Sequence, residues 1–285
     1  MTASIVDIRK LAQVLLRDKG FYSGEIDGLW GKGSNAAFAE YSGFLRESKL
    51  EIGGEGAIVE DSQVEEITGV VVLDPGHGGQ HKTGGSSPNN ATSFSGVQEK
   101  TMTLELAKLV RKELKRISSE RSDANIKVHL TRAGDSNLGL ADRARVARTK
   151  AANVFVSIHC NGYNGKVRGT ETLILSAENG NTNPADDRAL AERVQSGVFS
   201  ALKNHDTAAR NRGVKDNQRL GVLKDVHLQN PRADLETRAC LVEVEFIDVD
   251  VVDKLLNTGP NAKTVRLDVA RAMAEAIAED LEAHT

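Results

Sequence analysis

Two histidines close two apolar runs, His77 after Val70-Val-Val-Leu73 and His159 after Val154-Phe-Val-Ser-Ile158. Uninterrupted runs of branched aliphatic residues suit strands buried in a parallel sheet. Asp74-Pro75-Gly76 stops the first run, and Gly78 and Gly79 let the backbone turn sharply and leave space around the His77 ring. In open α/β sheets, ligands bind beyond the carboxyl ends of the strands, so the two imidazoles are placed to converge on one divalent ion. Such an ion usually takes a third, anionic ligand. Glu99 supplies one, after a polar stretch from Thr83 to Gly96 and before a helix marked by Leu106, Leu109, Val110, Leu114 and Ile117. Two histidines and a glutamate with an open fourth position form a hydrolytic geometry that suits one Zn2+ ion. Taken singly, each residue has an ordinary explanation: a hydrogen-bonded loop histidine, or a glutamate favoured by a helix dipole.

A further apolar run, Ala239-Cys-Leu-Val-Glu243-Val-Glu245-Phe246, carries two carboxylates at alternate positions, which in a regular strand share one face. A buried carboxylate is costly unless paired, protonated or near a cation, and a water activated by the metal gives one of them a purpose.

These residues need a frame. Strands are expected at Val70 to Leu73, Ile126 to Leu130, Val154 to His159, Thr170 to Leu175 and around Glu243. Helices are expected after Glu99, across Leu140 to Thr149, along Leu190, Val194, Val198 and Leu202, and from about Ala262 to Leu281. Alternating strands and helices predict an α/β domain, a mostly parallel sheet with helices on both faces. The 285 residues leave room for a small module before it.

The ordered set Leu-Asp-Pro-Gly-His77-Gly-Gly, Glu99-Lys100, Leu130-Thr-Arg132, Arg143, Ser157-Ile-His159-Cys-Asn161, Arg212-Gly-Val-Lys215, Gly221-Val-Leu223 and Leu241-Val-Glu243 resembles the zinc-dependent N-acetylmuramoyl-L-alanine amidases of the amidase-3 type. The resemblance covers roughly residues 68 to 285. It implies metal ligation by His77, Glu99 and His159, catalysis by Glu243, and cleavage of the amide joining N-acetylmuramic acid to the L-alanine of the stem peptide in peptidoglycan. Two positions depart from the family pattern. Glu245 stands where a small residue is usual, which leaves the base open between Glu243 and Glu245, and Cys160 stands where alanine is common. Asn161, two residues past a ligand, is a candidate for touching substrate.

Residues 1–50 form a separate unit. Ile8, Leu11, Leu15 and Leu16 fall on one helical face, a turn-rich stretch from Lys19 to Gly31 follows, and a second helix is expected from about Ser34 to Leu45. The pattern is similar to the three-helix peptidoglycan-binding domain, and makes Tyr22, Asp27 and Trp30 candidate wall-binding residues; filling the core of so small a module is the other role open to Trp30. Residues 51–68, acidic and glycine-containing without lysine or arginine, read as a linker, with an ordered connection as the alternative. Residues 69–285 are then the catalytic domain.

The net charge of −3 gives no basic field for nucleic acid. Arg210, Arg212, Lys215, Arg219 and Lys224 cluster locally, either as a solvated loop or as a rim attracting stem-peptide carboxylates. Two cysteines argue against a disulfide framework, and Cys160 is expected to point away from the His159 ring. No stretch is long enough for membrane insertion, and the first ten residues lack a sustained apolar core of signal-peptide type. The expectation is a phage endolysin, held in the host cytoplasm and then acting on the cell wall to cause host lysis. The alternatives are a periplasmic bacterial amidase for wall remodelling and a zinc peptidase cutting within the stem peptide; the three ligands alone do not separate amidase from peptidase.

Overall fold

The computed structural model describes residues 5–27, 33–34, 36–38, 40–41, 67–217, 220–229 and 236–285. The chain divides into two compact units, Met1–Gln63 and Val64–Thr285.

In the first unit, helix α1 spans Ile5–Asp18, and helical backbone recurs among residues 33–41. Leu16 is buried, but Leu11 and Leu15 are exposed, so the apolar face expected of α1 turns partly to water. Gln13 takes the interior place instead. Its Nε2 donates to Tyr22 Oη at 3.4 Å, Asp27 Oδ1 at 3.1 Å and Ser34 Oγ at 3.3 Å, and this satisfaction is what lets an amide occupy a core position. Tyr22 Oη donates in turn to Glu25 O. Trp30 and residues 51–66 lie outside the described residues.

The second unit is built on a six-stranded sheet in the order β2-β1-β3-β6-β4-β5. The strands are β1 (Ile67–Pro75), β2 (Ala124–Leu130), β3 (Val154–Asn161), β4 (Thr170–Leu175), β5 (Asn211–Asn217) and β6 (Arg238–Phe246). Strand β1 therefore takes in Ile67 and Thr68, the last two residues of the segment read as linker. All neighbours pair in parallel except β4 and β6, which are antiparallel.

Helices α2 (Glu99–Glu120), α4 (Pro184–His205) and α7 (Ala262–Glu282) pack on one face of the sheet, burying Leu106, Val110, Val194, Val198, Val269 and Met273. On the other face lie α3 (Leu140–Lys150) and the short α5 (Val226–Gln229), against Phe155, Leu175 and Leu241. A further short helix, α6 (Asp250–Asp253), leads into a wide turn at Lys254–Thr258.

The cluster at Arg212 and Lys215 is not a loop. It forms β5, a strand that pairs with β4 through main-chain bonds that need no apolar side chains. Cys160 packs in the α2-side core among Val156 and Ile158, away from the His159 ring as alternation requires.

Candidate metal centre

The site gathers at the carboxyl ends of β1, β3 and β6, the three adjacent strands in the middle of the sheet. Strand β1 hands the chain to a turn in which His77 adopts a left-handed conformation at φ 60°, a region that non-glycine residues seldom occupy. Gly78 follows at φ 134°, and a Cβ there would lie 2.2 Å from Ser136 O, so only glycine fits.

Two buried arginines hold this turn. Arg143 pairs with Asp74 at 2.7 Å, both almost fully shielded, and donates to Pro75 O and to His77 O. Arg132 donates to Pro75 O, Gly76 O and Lys100 O, tying the end of β1 to the start of α2. Asp74 also accepts from Thr131 Oγ1 and Ser157 Oγ. Burial alone would raise the Asp74 carboxyl, but the Arg143 charge and these three hydrogen bonds outweigh it and keep the group ionised. The strained histidine is thus braced from behind by a satisfied ion pair.

His77, Glu99 and His159 each offer a ligand atom within 4.8 Å of the others. Glu99 Oε1 lies 3.3 Å from His77 Nε2 and 3.0 Å from His159 Nδ1, and the two rings meet edge to face at 4.9 Å between centroids. Glu99 opens α2, where a helix N-terminus favours an anion. Its Oε2 accepts from Ala91 N at 2.9 Å and its Oε1 from Cys160 N at 3.1 Å. Burial opposes its charge, yet the hydrogen bonds and charges of His159 and His77 hold its carboxyl well below the usual range. On the far side of the first ring, His77 Nδ1 lies 3.1 Å from Ser87 O; assigning the proton to Nδ1 leaves Nε2 a lone pair aimed at the cluster.

Glu243 sits directly across from His159 in the β3–β6 register. Its Oε2 is buried with no hydrogen-bond partner among the described residues. Burial, then the negative charges of Glu99 and Glu171, push its carboxyl well above the ordinary glutamate range. Two imidazole nitrogens converging on one carboxylate oxygen, beside a second buried carboxyl without a partner, form an arrangement that a cation would relieve. The donor set of two nitrogens and one oxygen fits zinc.

Glu245 is drawn elsewhere. A bulge shifts the register so that Asn161 faces Phe246, and Glu245 Oε2 accepts from Gly169 N at 2.7 Å and Phe246 N at 2.8 Å. Its Oε1 pairs with Arg168 at 3.4 Å. Asn161 Nδ2 donates to Glu171 Oε1 at 2.9 Å, and Glu171 also holds Arg212 at 2.7 Å and Lys215.

A cavity of about 140 Å³ opens over the site, lined by His77, His159, Ser87, Leu140, Arg143 and Val222. Sequence reasoning named His77, Glu99 and His159, which the fold brings together, but missed Asp74 and Ser87 behind the His77 turn and Glu171 behind Asn161. Asp74 had a signal, a carboxylate inside a strand run with no cation beside it in sequence. Ser87 and Glu171 had none.

Among known proteins, AmiA of Escherichia coli (strain K12), an N-acetylmuramoyl-L-alanine amidase, is 37% identical over 125 residues, covering 44% of this chain and 38% of that protein. The chain thus matches well under half the length of that relative. The endolysin of Bacillus phage SPP1 is 30% identical over 212 residues, covering 74% of this chain and 66% of that protein. The catalytic domain of CwlV, an N-acetylmuramoyl-L-alanine amidase from Bacillus (Paenibacillus) polymyxa var. colistinus, superposes with a TM-score of 0.55 at 26% identity, covering 74% of this chain and 97% of that domain. The Amidase_3 family model, described as N-acetylmuramoyl-L-alanine amidase, matches residues 71–279, which span both edges of the sheet and take in His77, Glu99 and His159, and the chain belongs to that family.

Proposed function

We propose that this protein is a zinc-dependent peptidoglycan hydrolase that cleaves the amide between N-acetylmuramic acid and the L-alanine of the stem peptide. The observation that carries the reading is Glu243, whose buried Oε2 has no hydrogen-bond partner among the described residues, set across from His159 in a cluster of two histidines and a glutamate. His77, Glu99 and His159 would hold the ion. Zinc bound there supplies a water whose pKa falls from ~15.7 to roughly 7 and a Lewis acid for the scissile carbonyl.

The chain's own contribution is proton transfer and positioning. Glu243 takes a proton from water as the new C–O bond forms and gives it to the nitrogen as the C–N bond breaks, leaving a carboxylate and a free amine. Burial makes this carboxyl a stronger base than an exposed glutamate, which suits the first half of that task, and a ready donor in the second. Asn161, fixed on Glu171, is the proposed contact to the substrate.

Residues 1–50 are proposed as a wall-binding module through Tyr22, Asp27 and Trp30, joined by a linker to a catalytic domain at 69–285. Such a tether would raise the local concentration of enzyme on an insoluble polymer. The proposed setting is phage-directed host lysis, supported by the likeness to the SPP1 endolysin. The likeness to AmiA favours wall remodelling in a bacterium as the second reading. Among the described residues, no helix is long and apolar enough to cross a membrane.

Peptidoglycan digested by the purified protein, with chelator and with zinc restored, tests the chemistry. Intact stem peptides beginning at L-alanine, lost on chelation and regained with zinc, are the expected products by mass spectrometry. Fragments cut within the peptide would make the enzyme a metallopeptidase.

A further inference from the structure

Two aromatic side chains near the metal cluster stand in water, Phe94 at 66% and Tyr163 at 77% exposure. Single exposed apolar residues are ordinary. These two are not independent. Beyond residue 66 the chain has five aromatic residues, so two in five of them are turned outward on adjoining loops.

The two loops are fixed to one point. Phe94 N donates to Ile247 O at 3.0 Å, while Tyr163 N and Gly165 N donate to Asp248 Oδ2 at 3.0 and 2.7 Å. Ile247 N closes the arrangement on Asn161 O at 2.9 Å. Gly162 lies so close to Ala91 that an added Cβ would come within 2.9 Å of the alanine Cβ. The same loops grip the metal-ligating carboxylate, through Ala91 N and Cys160 N. Phe94 is three residues from Ala91 and Tyr163 four from His159, so their backbones lie within about 11 and 14 Å of those residues at 3.3–3.6 Å per residue. A short oligosaccharide spans that reach.

The acidic side chains beside the clamp are already engaged: Asp248 accepts from Tyr163 N and Gly165 N, Asp253 is buried on Ser95 and Asn257, and Asp250 pairs with Lys254, while Lys166 stands exposed on the Tyr163 loop. The cations Arg212 and Lys215 stand instead on Glu171. What the two loops present to water beside the site is therefore a pair of aromatic faces, and a neutral polymer with flat C–H faces suits them.

Building on the amidase reading, we infer that Phe94 and Tyr163 form a stacking platform for the N-acetylated amino-sugar strand of the substrate, holding the glycan beside the scissile amide. The platform sets how much glycan the enzyme requires, while the metal cluster sets which bond is cut.

Two soluble substrates test this, the same stem peptide carried on a single muramyl sugar or on a tetrasaccharide. The wild-type full chain is expected to show a KM about tenfold lower on the tetrasaccharide. In Phe94→Ala/Tyr163→Ala that advantage is expected to shrink to within about twofold, with kcat/KM on the single-sugar substrate unchanged. Phe94→Trp and Tyr163→Phe should retain it. An advantage intact in the double alanine variant, or an equal loss on both substrates, overturns the platform. If the wild type cuts neither substrate at the amide, the amidase reading is what fails. Calorimetric titration with an N-acetylglucosamine tetramer then still decides the platform, since heat of binding should be lost in the double variant and its persistence would refute the assignment.

Discussion

Glu243 and His159 are register partners on adjacent parallel strands, so a carboxyl and a candidate metal-ligating imidazole rise side by side from the same level of the sheet. The pairing is set by main-chain bonds, which makes the spacing a property of the fold rather than of a flexible loop. Glu243→Gln retains shape and removes the titratable group. It should keep full metal content, measured by elemental analysis, while kcat falls by about 10² to 10⁴. Near-normal turnover would assign the proton transfer to another residue.

Gly76 lies beneath the His159 ring. A Cβ there would sit 2.3 Å from His159 Cε1 and 2.5 Å from Nε2, so Gly76→Ala must displace the imidazole. Circular dichroism should show a folded protein whose zinc affinity has dropped by at least about tenfold, the range seen when ligand orientation is lost.

The Asp74–Arg143 pair is nearly fully buried, and removing one member strands the other without water. Asp74→Ala should cost about 3–5 kcal/mol in denaturant unfolding. The double change Asp74→Ala/Arg143→Met should recover part of that stability without recovering activity, because His77 O loses its brace.

Asp187 offers a pH test remote from the cluster. Burial pushes its carboxyl up to about 7, against the pull of hydrogen bonds from Ala239 N and Asn181 Nδ2. The unfolded chain releases this proton near pH 4, whereas the folded protein holds it until about 7. The associated stability is therefore full below about pH 4 and lost as pH rises through 7, an upper bound of about 4 kcal/mol. In Asp187→Asn the unfolding free energy should lose this downward slope between pH 4 and 7; an unchanged slope would place the titrating group elsewhere.

The central strands were legible because β1, β3 and β6 are apolar on both faces, as strands covered by helices must be. His77 and His159 could be read because each ends such a strand, and Glu99 because it precedes a helix with clear periodicity. Strand β5 was not legible: Asn-Arg-Gly-Val-Lys-Asp-Asn has no apolar pattern, since an edge strand has one neighbour and much contact with water. Nor was Gln13, which replaces apolar burial by three hydrogen bonds that exist only after the chain has turned back on itself. The different surroundings of Glu243 and Glu245 depend on a bulge, and no periodicity argument can locate an irregularity of one residue.

The reversed direction of β4 has a consequence for how this enzyme could be varied. Because β4 runs against β6 and is not adjacent to β3, residues 162–169 do not return beneath the sheet but cross over the end of β6, touching Glu245 on the way. That segment is a bridge over the working edge, anchored at both ends by the core and free to change in between. Exchanging its exposed residues would alter what the enzyme presents to a cell wall without altering the strands that carry the ligands, so breadth of target and chemistry of cleavage can diverge independently within one domain.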